Sequence, residues 1–432
     1  MKTREKVSVI TLGCAKNTVD SERLLRQLQL NNIDLRTNPS EADTIIINTC
    51  GFIDAAKQES VNTILDAVAN KNSGLIKRVF VAGCLSQRYK QDLQKEIPEV
   101  DLFFGTEDYE KIVNELGGEL KKNLLGERIL STPSHTAYLK ISEGCDHPCS
   151  FCAIPIMRGM HKSRTIEDLV AETKFLASNN TKELVLIAQD TTDYGKDLYY
   201  KKNITELISR LSEINGIEWI RLMYAYPSHF PDELINEINS NEKVCKYLDI
   251  PLQHISDKIL KSMRRGITSR QTKELLYKLR EKIPEIVLRT TFIVGYPEET
   301  EKEFQELCEF VEDVKFERMG TFTYSREENT VSYELGDPVP DEVKKERQSI
   351  LMEIQKEIST EQNKNLIGKK LKVLVDGKEG DFYIGRTYRD APEIDGEVLI
   401  SNSENEIIPG NFYNAEIYDS NEYDLFAKVK KI

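Results

Sequence analysis

The chain has 432 residues, too many for one ordinary core, with 39% hydrophobic and 30% charged residues, a balance typical of a globular protein of two or three domains. No apolar run is long enough for a membrane span or a secretory signal, so we expect a cytoplasmic protein with no membrane contact, whose eight cysteines are thiols, metal ligands or catalytic groups. The net charge of −13 disfavours a protein whose main task is to bind a phosphate backbone and favours a basic partner.

The first part of the chain repeats one pattern three times: a β-rich run that ends on a cysteine, followed by a helical stretch. The runs VSVITLGC, TIIINTC and VFVAGC end on Cys14, Cys50 and Cys84. This alternation predicts a domain with a parallel α/β sheet over residues 1–125. Because neighbouring parallel strands end side by side, we expect the three cysteines to converge and to hold an iron–sulfur cluster with one open iron. The alternative is three unrelated buried thiols.

Three more cysteines crowd into ISEGCDHPCSFCAIPIMRG (141–159), as Cys145, Cys149 and Cys152. The preceding AYLKIS predicts a strand, so the loop begins where parallel α/β folds place their ligand-binding loops. Zinc sites usually close with four ligands, and His147 is awkwardly placed to supply the fourth. Three thiolates suit a [4Fe–4S] cluster whose open iron binds a substrate or cofactor. A zinc knuckle and a set of buried structural thiols are the alternatives.

This cysteine motif resembles that of the radical SAM enzymes. The resemblance implies that the three thiolates hold a [4Fe–4S] cluster and that its open iron binds the amino and carboxylate groups of S-adenosylmethionine. It also implies that one electron from the cluster splits this cosubstrate to give a 5′-deoxyadenosyl radical. Phe151 matches the aromatic residue that usually packs near the adenine.

After the loop, strand-like and helical stretches alternate. The candidate strands are 137–142, 183–190, 219–226, 247–253, 287–295 and 318–325, with helices such as 165–178 and 299–314 between them. Six such units predict an open (β/α)6 partial barrel within residues 131–365, the fold typical of radical SAM cores. Position in the fold and the resemblance place four residues near S-adenosylmethionine: Gln189, Asp190, Arg289 and Gly295. Loop capping or sheet packing is the alternative for each.

The remaining histidines and cysteines receive no chemical role. His229 and His254 follow predicted strands, where a structural histidine is the better interpretation. Cys308 shares one helical face with three apolar residues, which is typical of a core. Cys245 has no other cysteine near it in the sequence.

The last part of the chain changes pattern. Residues 332–370 predict a turn and a charged helix that ends near Gly368. Five short runs then predict a small β-barrel or sandwich over 366–432: KKLKVLVDG, YIGRTYRD, GEVLI, NFYNAEIYD and DLFAKVKK. This segment carries nine Lys and Arg against thirteen Asp and Glu, a net charge of −4. That charge disfavours phosphate binding and favours a basic protein partner, although KVKK near the end is locally basic.

The whole arrangement resembles the methylthiotransferases, which join an N-terminal domain with three cluster cysteines to a radical SAM core and a C-terminal TRAM domain. The resemblance implies two [4Fe–4S] clusters that face each other across the gap between the first two domains. One S-adenosylmethionine would methylate a sulfur held at the N-terminal cluster, and another would be cleaved to the radical that removes a hydrogen from the substrate.

Within this family, LGCAKNTVDSE (12–22), YLDIPLQHIS (247–256) and GRTYRDAPEIDGEVLI (385–400) resemble the RimO-type branch. That branch methylthiolates the β-carbon of an aspartate in the twelfth small-subunit ribosomal protein, which is very basic. The tRNA-modifying branch has Gln-Met in place of Ala15 and Lys16, although Ala15 itself departs from the proline expected of the RimO type. We also expect the acidic residues of YRDAPEIDG to lie in the domain that meets the substrate.

The resemblance further implies a low-potential electron donor, such as a flavodoxin or ferredoxin, and a substrate that is either free or within the ribosome. Two alternatives stay open. One is a tRNA adenosine methylthiotransferase with the same chemistry. The other is a non-catalytic iron–sulfur or zinc protein that uses its β domain as an adaptor.

Overall fold

The computed structural model describes residues 5–401 and 406–429. Its N-terminal domain contains the strands β1 (Lys6–Thr11), β2 (Asp34–Leu35), β3 (Thr44–Thr49), β4 (Arg78–Gly83) and β5 (Leu102–Phe103), and the helices α1 (Ala15–Leu30), α2 (Asp54–Asn72), α3 (Cys84–Glu96) and α4 (Tyr109–Glu115). The sheet is parallel, in the order β2-β1-β3-β4-β5. Every residue of β3 is buried because helices cover both faces of the sheet, α1 and α4 on one face and α2 and α3 on the other.

The second domain is an open, six-stranded parallel sheet. The strands of this domain, including two outside the main sheet, are β6 (Thr136–Lys140), β7 (Ser142–Glu143), β8 (Lys162–Ser163), β9 (Glu183–Ile187), β10 (Trp219–Leu222), β11 (Val244–Asp249), β12 (Val287–Val294) and β13 (Arg318–Thr323). The main sheet has the order β13-β12-β11-β10-β9-β6, and β7 pairs with β8 in a separate antiparallel ribbon. The six predicted β/α units are therefore confirmed.

Most helices of this domain share the hydrophobic core on the outer face of the sheet, whereas the short first one contacts the N-terminal domain. The helices are α5 (Ile154–Arg158), α6 (Ile166–Ser178), α7 (Ile204–Ser212), α8 (Asp232–Ser240), α9 (Asp257–Ser262), α10 (Ser269–Lys282) and α11 (Glu301–Val314). The two helices named from the sequence begin at threonine caps: Thr165 accepts a hydrogen bond from the Asp168 amide, and Thr300 forms a capping box with Glu303. Cys308 lies in the hydrophobic core beneath α11, as its helical face predicted.

A long helix, α12 (Asp341–Lys364), packs on β13 and α11 and leads to the third domain. That domain is a closed barrel of β14 (Lys370–Glu379), β15 (Phe382–Arg386), β16 (Val398–Ser401), β17 (Phe412–Ser420) and β18 (Leu425–Val429). The sequence left a barrel or a sandwich open, and the structure is a barrel. Of the basic KVKK stretch, residues 430–431 lie outside the described residues. The division of the chain at 1–125, 131–365 and 366–432 stays a prediction.

The loop between β15 and β16, residues 387–397, inserts against the concave side of the second domain. Arg221 of β10 donates to the Tyr388 carbonyl oxygen at 2.7 Å, and Arg318 of β13 pairs with Asp390 at 2.5 Å. Tyr247 of β11 donates to Asp395 at 2.6 Å. These contacts close the sheet interior at the end opposite the cysteine loop.

This insertion contains the acidic residues of YRDAPEIDG, which were expected to lie in the domain that meets the substrate. They do lie in the third domain, where Asp390 is buried and Asp395 pairs with Tyr247 and with Arg289 of β12, while Glu393 is exposed. Asp390 and Asp395 thus contribute to the contact between domains, and the meeting of this domain with a substrate stays a prediction.

Candidate active site between two cysteine triads

The first triad consists of Cys14, Cys50 and Cys84, which follow the neighbouring strands β1, β3 and β4. The three loops approach closely at the edge where these strands end. Gly13 has a φ of +92°, and a Cβ there would lie 2.7 Å from Cys50 Cβ and 2.9 Å from Cys50 Sγ. A glycine is therefore required at this position. The prediction that the strand ends converge agrees with this geometry, and the role of the cysteines as ligands stays a prediction.

Polar side chains hold the loops of the first triad. Asn17 donates to the carbonyl oxygens of Leu12 and Thr49 at 2.7 and 3.1 Å, so it ties the β1 loop to the β3 loop. Ser60 accepts from the Cys50 amide at 3.0 Å and donates to the Cys50 carbonyl oxygen at 2.9 Å. The loops are thus fixed by the domain itself.

Burial raises the pKa of Cys50, and it raises the pKa of Cys84 to about 11. Cys14, by contrast, is exposed. Buried neutral thiols are unusual for a reactive cysteine, but they suit a ligand that loses its proton when a metal binds. Three thiol donors at one sheet edge fit an iron–sulfur cluster with one open iron.

The second triad consists of Cys145, Cys149 and Cys152, in the loop that connects β7 to β8. The Cys145 amide donates to the Gly159 carbonyl oxygen at 3.1 Å, which closes the loop at its base. Gly144 has a φ of +72°, and a Cβ there would lie 2.1 Å from the Met160 carbonyl oxygen, so the loop closes only with glycine. Burial raises the pKa of Cys145 and of Cys152 to about 12.

Side chains from the sheet support the second triad. Arg265 donates to Cys149 Sγ at 3.4 Å, and the Tyr226 hydroxyl lies 3.7 Å from the same sulfur. His147 stacks on Tyr226 with ring centroids 3.7 Å apart and donates to Asp190 at 2.6 Å. His147, placed between two cysteines in the sequence, is thus engaged by a carboxylate and a ring.

The two triads lie against each other. Cys84 packs on Ala153 and Met157, and Ala153 directly follows Cys152. Arg158 of α5 donates from Nε to Cys84 Sγ at 3.3 Å and from Nη2 to Asn17 Oδ1 at 2.5 Å. Helix α5, which follows the second triad, therefore contacts a cysteine of the first triad.

A buried charge network surrounds this junction. Arg158 pairs with Asp20 and Glu143 at 3.0 Å, and Lys140 contacts the same two carboxylates. Burial alone would raise the pKa of Glu143, but Lys140 and Arg158 outweigh it and hold that pKa at about 2. Glu143 is thus ionised and already paired with two cations, and Asp20 shares the same two partners.

Three of the residues predicted near S-adenosylmethionine line the ends of the strands beside the second triad. Phe151 is half-buried against Met263 and Tyr296. Gln189 donates to Glu143 at 3.0 Å, while its buried Oε1 has no hydrogen-bond partner in the described part of the chain. Asp190, paired with His147, also accepts from the Thr192 amide. An unused buried acceptor of this kind fits a donor group on a bound cosubstrate.

Two other predicted residues lie differently. Arg289 is the third residue of β12 and pairs with Asp249 at 2.9 Å and with Asp395 of the third domain at 3.4 Å. Gly295 follows β12, and a Cβ there would lie 2.3 Å from Lys344 Cγ on α12. The described contacts thus engage both residues in packing between elements, and their assignment to the cosubstrate site stays a prediction.

The two histidines at strand ends differ in burial. His254 is fully buried, accepts from the Ser256 amide at 3.0 Å and donates to Glu299 at 3.2 Å, which is the structural role expected. His229 bonds to Ser228 at 2.7 Å. Cys245 is buried next to Arg221, away from both triads.

Residues that the sequence did not indicate complete the site. Arg158 and Tyr226 contact cysteines, and Lys16, two residues after Cys14, reaches the second domain. Each acts across a long separation in sequence. A signal was present for Arg158, as a cation at the end of the quoted cysteine stretch, and for Lys16, as a residue that differs between the two branches of the family.

Three family models match the chain in order. A model described as uncharacterized protein family UPF0004 matches residues 6–105, the radical SAM superfamily matches 139–311, and the TRAM domain matches 367–429. No helix among the described residues is long and apolar enough to cross a membrane.

The chain is similar along its whole length to proteins called ribosomal protein uS12 methylthiotransferase RimO. It is 51% identical to that of Cytophaga hutchinsonii over 99% of this chain and 98% of the relative. It is 52% identical to those of Christiangramia forsetii and Flavobacterium johnsoniae, over 98% of this chain and 94% and 98% of the relatives.

Solved structures show likeness of fold. A radical S-adenosylmethionine methyltransferase, TsrM, from Kitasatospora setae matches with a TM-score of 0.54 and 14% identity, over 73% of this chain and 72% of that one. The cobalamin-dependent S-adenosylmethionine radical enzyme OxsB matches with a TM-score of 0.51 and 13% identity, over 81% and 56%.

Proposed function

Because the chain belongs to the RimO family of ribosomal protein uS12 methylthiotransferases, we propose that it adds a methylthio group to the β-carbon of an aspartate in that protein. The observation that carries this proposal is the apposition of the two triads. Cys84 packs on the residue next to Cys152, and Arg158 bonds to Cys84. A reaction that joins a sulfur group to an unactivated carbon needs a sulfur carrier and a radical source close together, and the contact between the two cysteine loops supports that arrangement.

Membership of the radical SAM superfamily implies a [4Fe–4S] cluster and S-adenosylmethionine. We assign this cluster to Cys145, Cys149 and Cys152, and we propose a second [4Fe–4S] cluster on Cys14, Cys50 and Cys84. When bound, these groups supply the radical that removes a hydrogen from the substrate carbon and the methylated sulfur that replaces it.

The chain itself contributes position and charge. Asn17 and Ser60 fix the first triad, and the β7–β8 ribbon with Arg265 fixes the second. Arg158 links the two by its hydrogen bonds to Cys84 and Asn17. Holding two reacting groups in a fixed relative geometry is itself a large contribution to rate.

The partners follow from the chemistry. Cleavage of S-adenosylmethionine needs an electron of low potential, for which we propose a flavodoxin or ferredoxin as donor. A ribosomal substrate, free or assembled, places the reaction in the cytoplasm. The acidic balance of the chain, with a net charge of −13, favours association with a basic ribosomal protein.

The test is an anaerobic reaction of the cluster-loaded protein with S-adenosylmethionine, sulfide and a reductant. One sample contains ribosomal protein uS12, a second contains assembled small subunits and a third contains unmodified tRNA. Mass spectrometry is expected to find one added methylthio group on an aspartate of uS12 and none on tRNA. Modification of tRNA alone would overturn the proposed substrate while leaving the two-cluster chemistry in place.

A further inference from the structure

Lys16 is a buried lysine at the junction of the two triads. It lies in the first turn of α1, two residues after Cys14, and only 8% of its surface is exposed. Its Nζ sits 3.3 Å from the centroid of the Tyr224 ring, which belongs to the second domain. The side chain therefore reaches from the first triad into the mouth of the open barrel.

Lys16 lacks an anionic partner, unlike the other cations around it. Arg158 and Lys140 share Asp20 and Glu143, and Arg289 holds Asp249. Among the described residues, no carboxylate lies within ion-pair distance of the Lys16 ammonium. Instead, the ammonium lies over the face of an aromatic ring. The ring attracts a cation, but it does not accept hydrogen bonds from the three N–H donors of the ammonium as a carboxylate would.

Tyr224 is itself held in an unusual conformation. Its φ is +60°, which is uncommon for a bulky residue, and its amide donates to Asp249 at 3.0 Å. Its carbonyl oxygen accepts from the Thr191 amide at 3.1 Å. Strained backbone that is fixed from both sides is typical of functional sites. Two residues after Tyr224, Tyr226 contacts Cys149 of the second triad. Lys16, which packs on Tyr224, therefore lies between Cys14 and the second triad.

The proposed substrate supplies the missing charge. The β-carbon of an aspartate is bonded directly to its carboxylate, so a substrate that brings this carbon between the triads also brings an anion out of water. An anion is expensive to bury unless it meets a cation or several donors. A nucleoside offers no carboxylate at this point.

We propose that Lys16 binds the side-chain carboxylate of the aspartate that is modified, and so selects an acidic side chain for this site. This inference rests on the proposed function. Lys16 acts here as a specificity-determining residue that touches the substrate next to the reacting carbon. A hydrogen bond to a charged group corresponds to about a 10- to 100-fold change in affinity.

The experiment compares two forms of uS12: the natural protein and a form in which the modified aspartate, located by mass spectrometry, is replaced by asparagine. Their dissociation constants are measured by fluorescence anisotropy with the anaerobically loaded enzyme. The wild type is expected to bind the aspartate form about 10- to 100-fold more tightly. Lys16→Met should bind both forms alike, and Lys16→Arg should retain a preference for aspartate.

Lys95→Met, which changes an exposed lysine of α3, is the matched control and should keep the wild-type preference. Formation of 5′-deoxyadenosine without substrate should be equal in the wild type and in Lys95→Met, which shows that the control variant is intact. The inference is overturned if the wild type binds both forms equally, or if Lys16→Met keeps the full preference. Should Lys16→Met fail to fold, Lys16→Gln takes its place, with the same expectation that it binds both forms alike.

The same samples separate the two proposals. Modification of the aspartate with an unchanged preference in Lys16→Met would remove the role of Lys16 and leave the proposed function standing. A wild type that modifies tRNA and ignores uS12 would overturn the function, and the inference with it.

Discussion

Glu172 offers a direct measure of how the first two domains are joined. This fully buried carboxylate of α6 pairs with Arg164 at 2.6 Å, with Arg128 of the connecting segment at 3.0 Å and with Arg23 of α1 at 3.2 Å. Burial alone would raise the pKa of Glu172, but the three arginines outweigh it and lower that pKa from 4.5 to about 2. The ionised form is therefore strongly preferred in the folded protein.

The expected effect of Glu172→Gln follows from this shift. A difference of about 2.5 pKa units corresponds to about 3 kcal/mol in the free energy of unfolding at pH 7. Loss of the charge also leaves three arginines buried beside one another, and removing one partner of such a group typically costs about 3–5 kcal/mol. We expect a destabilisation in this range.

Urea unfolding at pH 7, followed by the fluorescence of the single tryptophan, Trp219, measures this change. Glu167→Gln, on the exposed face of the same helix, is the control and should change stability by less than about 0.5 kcal/mol. Because the folded pKa of Glu172 is depressed, its contribution is present above pH 4.5 and is lost as the pH falls towards 2. The gap between wild type and Glu172→Gln should therefore narrow by about 0.8 kcal/mol from pH 7 to pH 4. A variant as stable as the control at pH 7 would refute the reasoning.

Three further predictions concern the triads and the third domain. Cys14→Ala should abolish methylthiolation but retain reductive cleavage of S-adenosylmethionine, whereas Cys149→Ala should lose both activities. Chromatography of 5′-deoxyadenosine distinguishes the two variants, and cleavage by Cys149→Ala would contradict the assignment of the second triad. In the metal-free protein, iodoacetamide should modify the exposed Cys14 before the two buried cysteines of its triad, as followed by peptide mass spectrometry; simultaneous labelling would contradict the described burial. Asp390→Ala should leave Arg318 buried without its partner and destabilise the contact with the third domain by about 3–5 kcal/mol. Because Trp219 packs on Phe412 of that domain, its emission should shift to the red. An unchanged spectrum together with unchanged stability in urea would count against the docking role of Asp390.

The fold was largely predictable because the sheets are buried on both sides. Such strands are continuous apolar runs, as in Thr44–Thr49, and they stand out from the helical periods between them. Caps such as Thr165 and Thr300 also act within one turn of chain. The two-residue strands β2 and β5 carry too little pattern to be seen, and the β7–β8 ribbon divides a run that resembled one strand.

The part of the site that could be predicted is the part marked by a repeated pattern of cysteines. Cysteines at strand ends converge because parallel strands end side by side. The contacts of Lys16 and Arg158 could not be found in this way, since they depend on how two domains dock. The pairing of Asp390 and Asp395 with the second domain could not be predicted for the same reason. Their local pattern is that of an exposed turn, and their partners, Arg318 and Arg289, come from distant strands.

The insertion of residues 387–397 also affects the order in which the molecule can be completed. A growing chain makes the N-terminal domain first, and domains generally fold as they emerge. The second domain, however, presents Arg221, Arg289 and Arg318 to Tyr388, Asp395 and Asp390, which lie near the end of the sequence. Until that segment is synthesised, Arg318 lacks Asp390, whereas Glu183 and Asp249 of the same domain already pair with Arg221 and Arg289. The inner face of the second domain is thus covered late in synthesis, once residues 387–397 are available to dock against it.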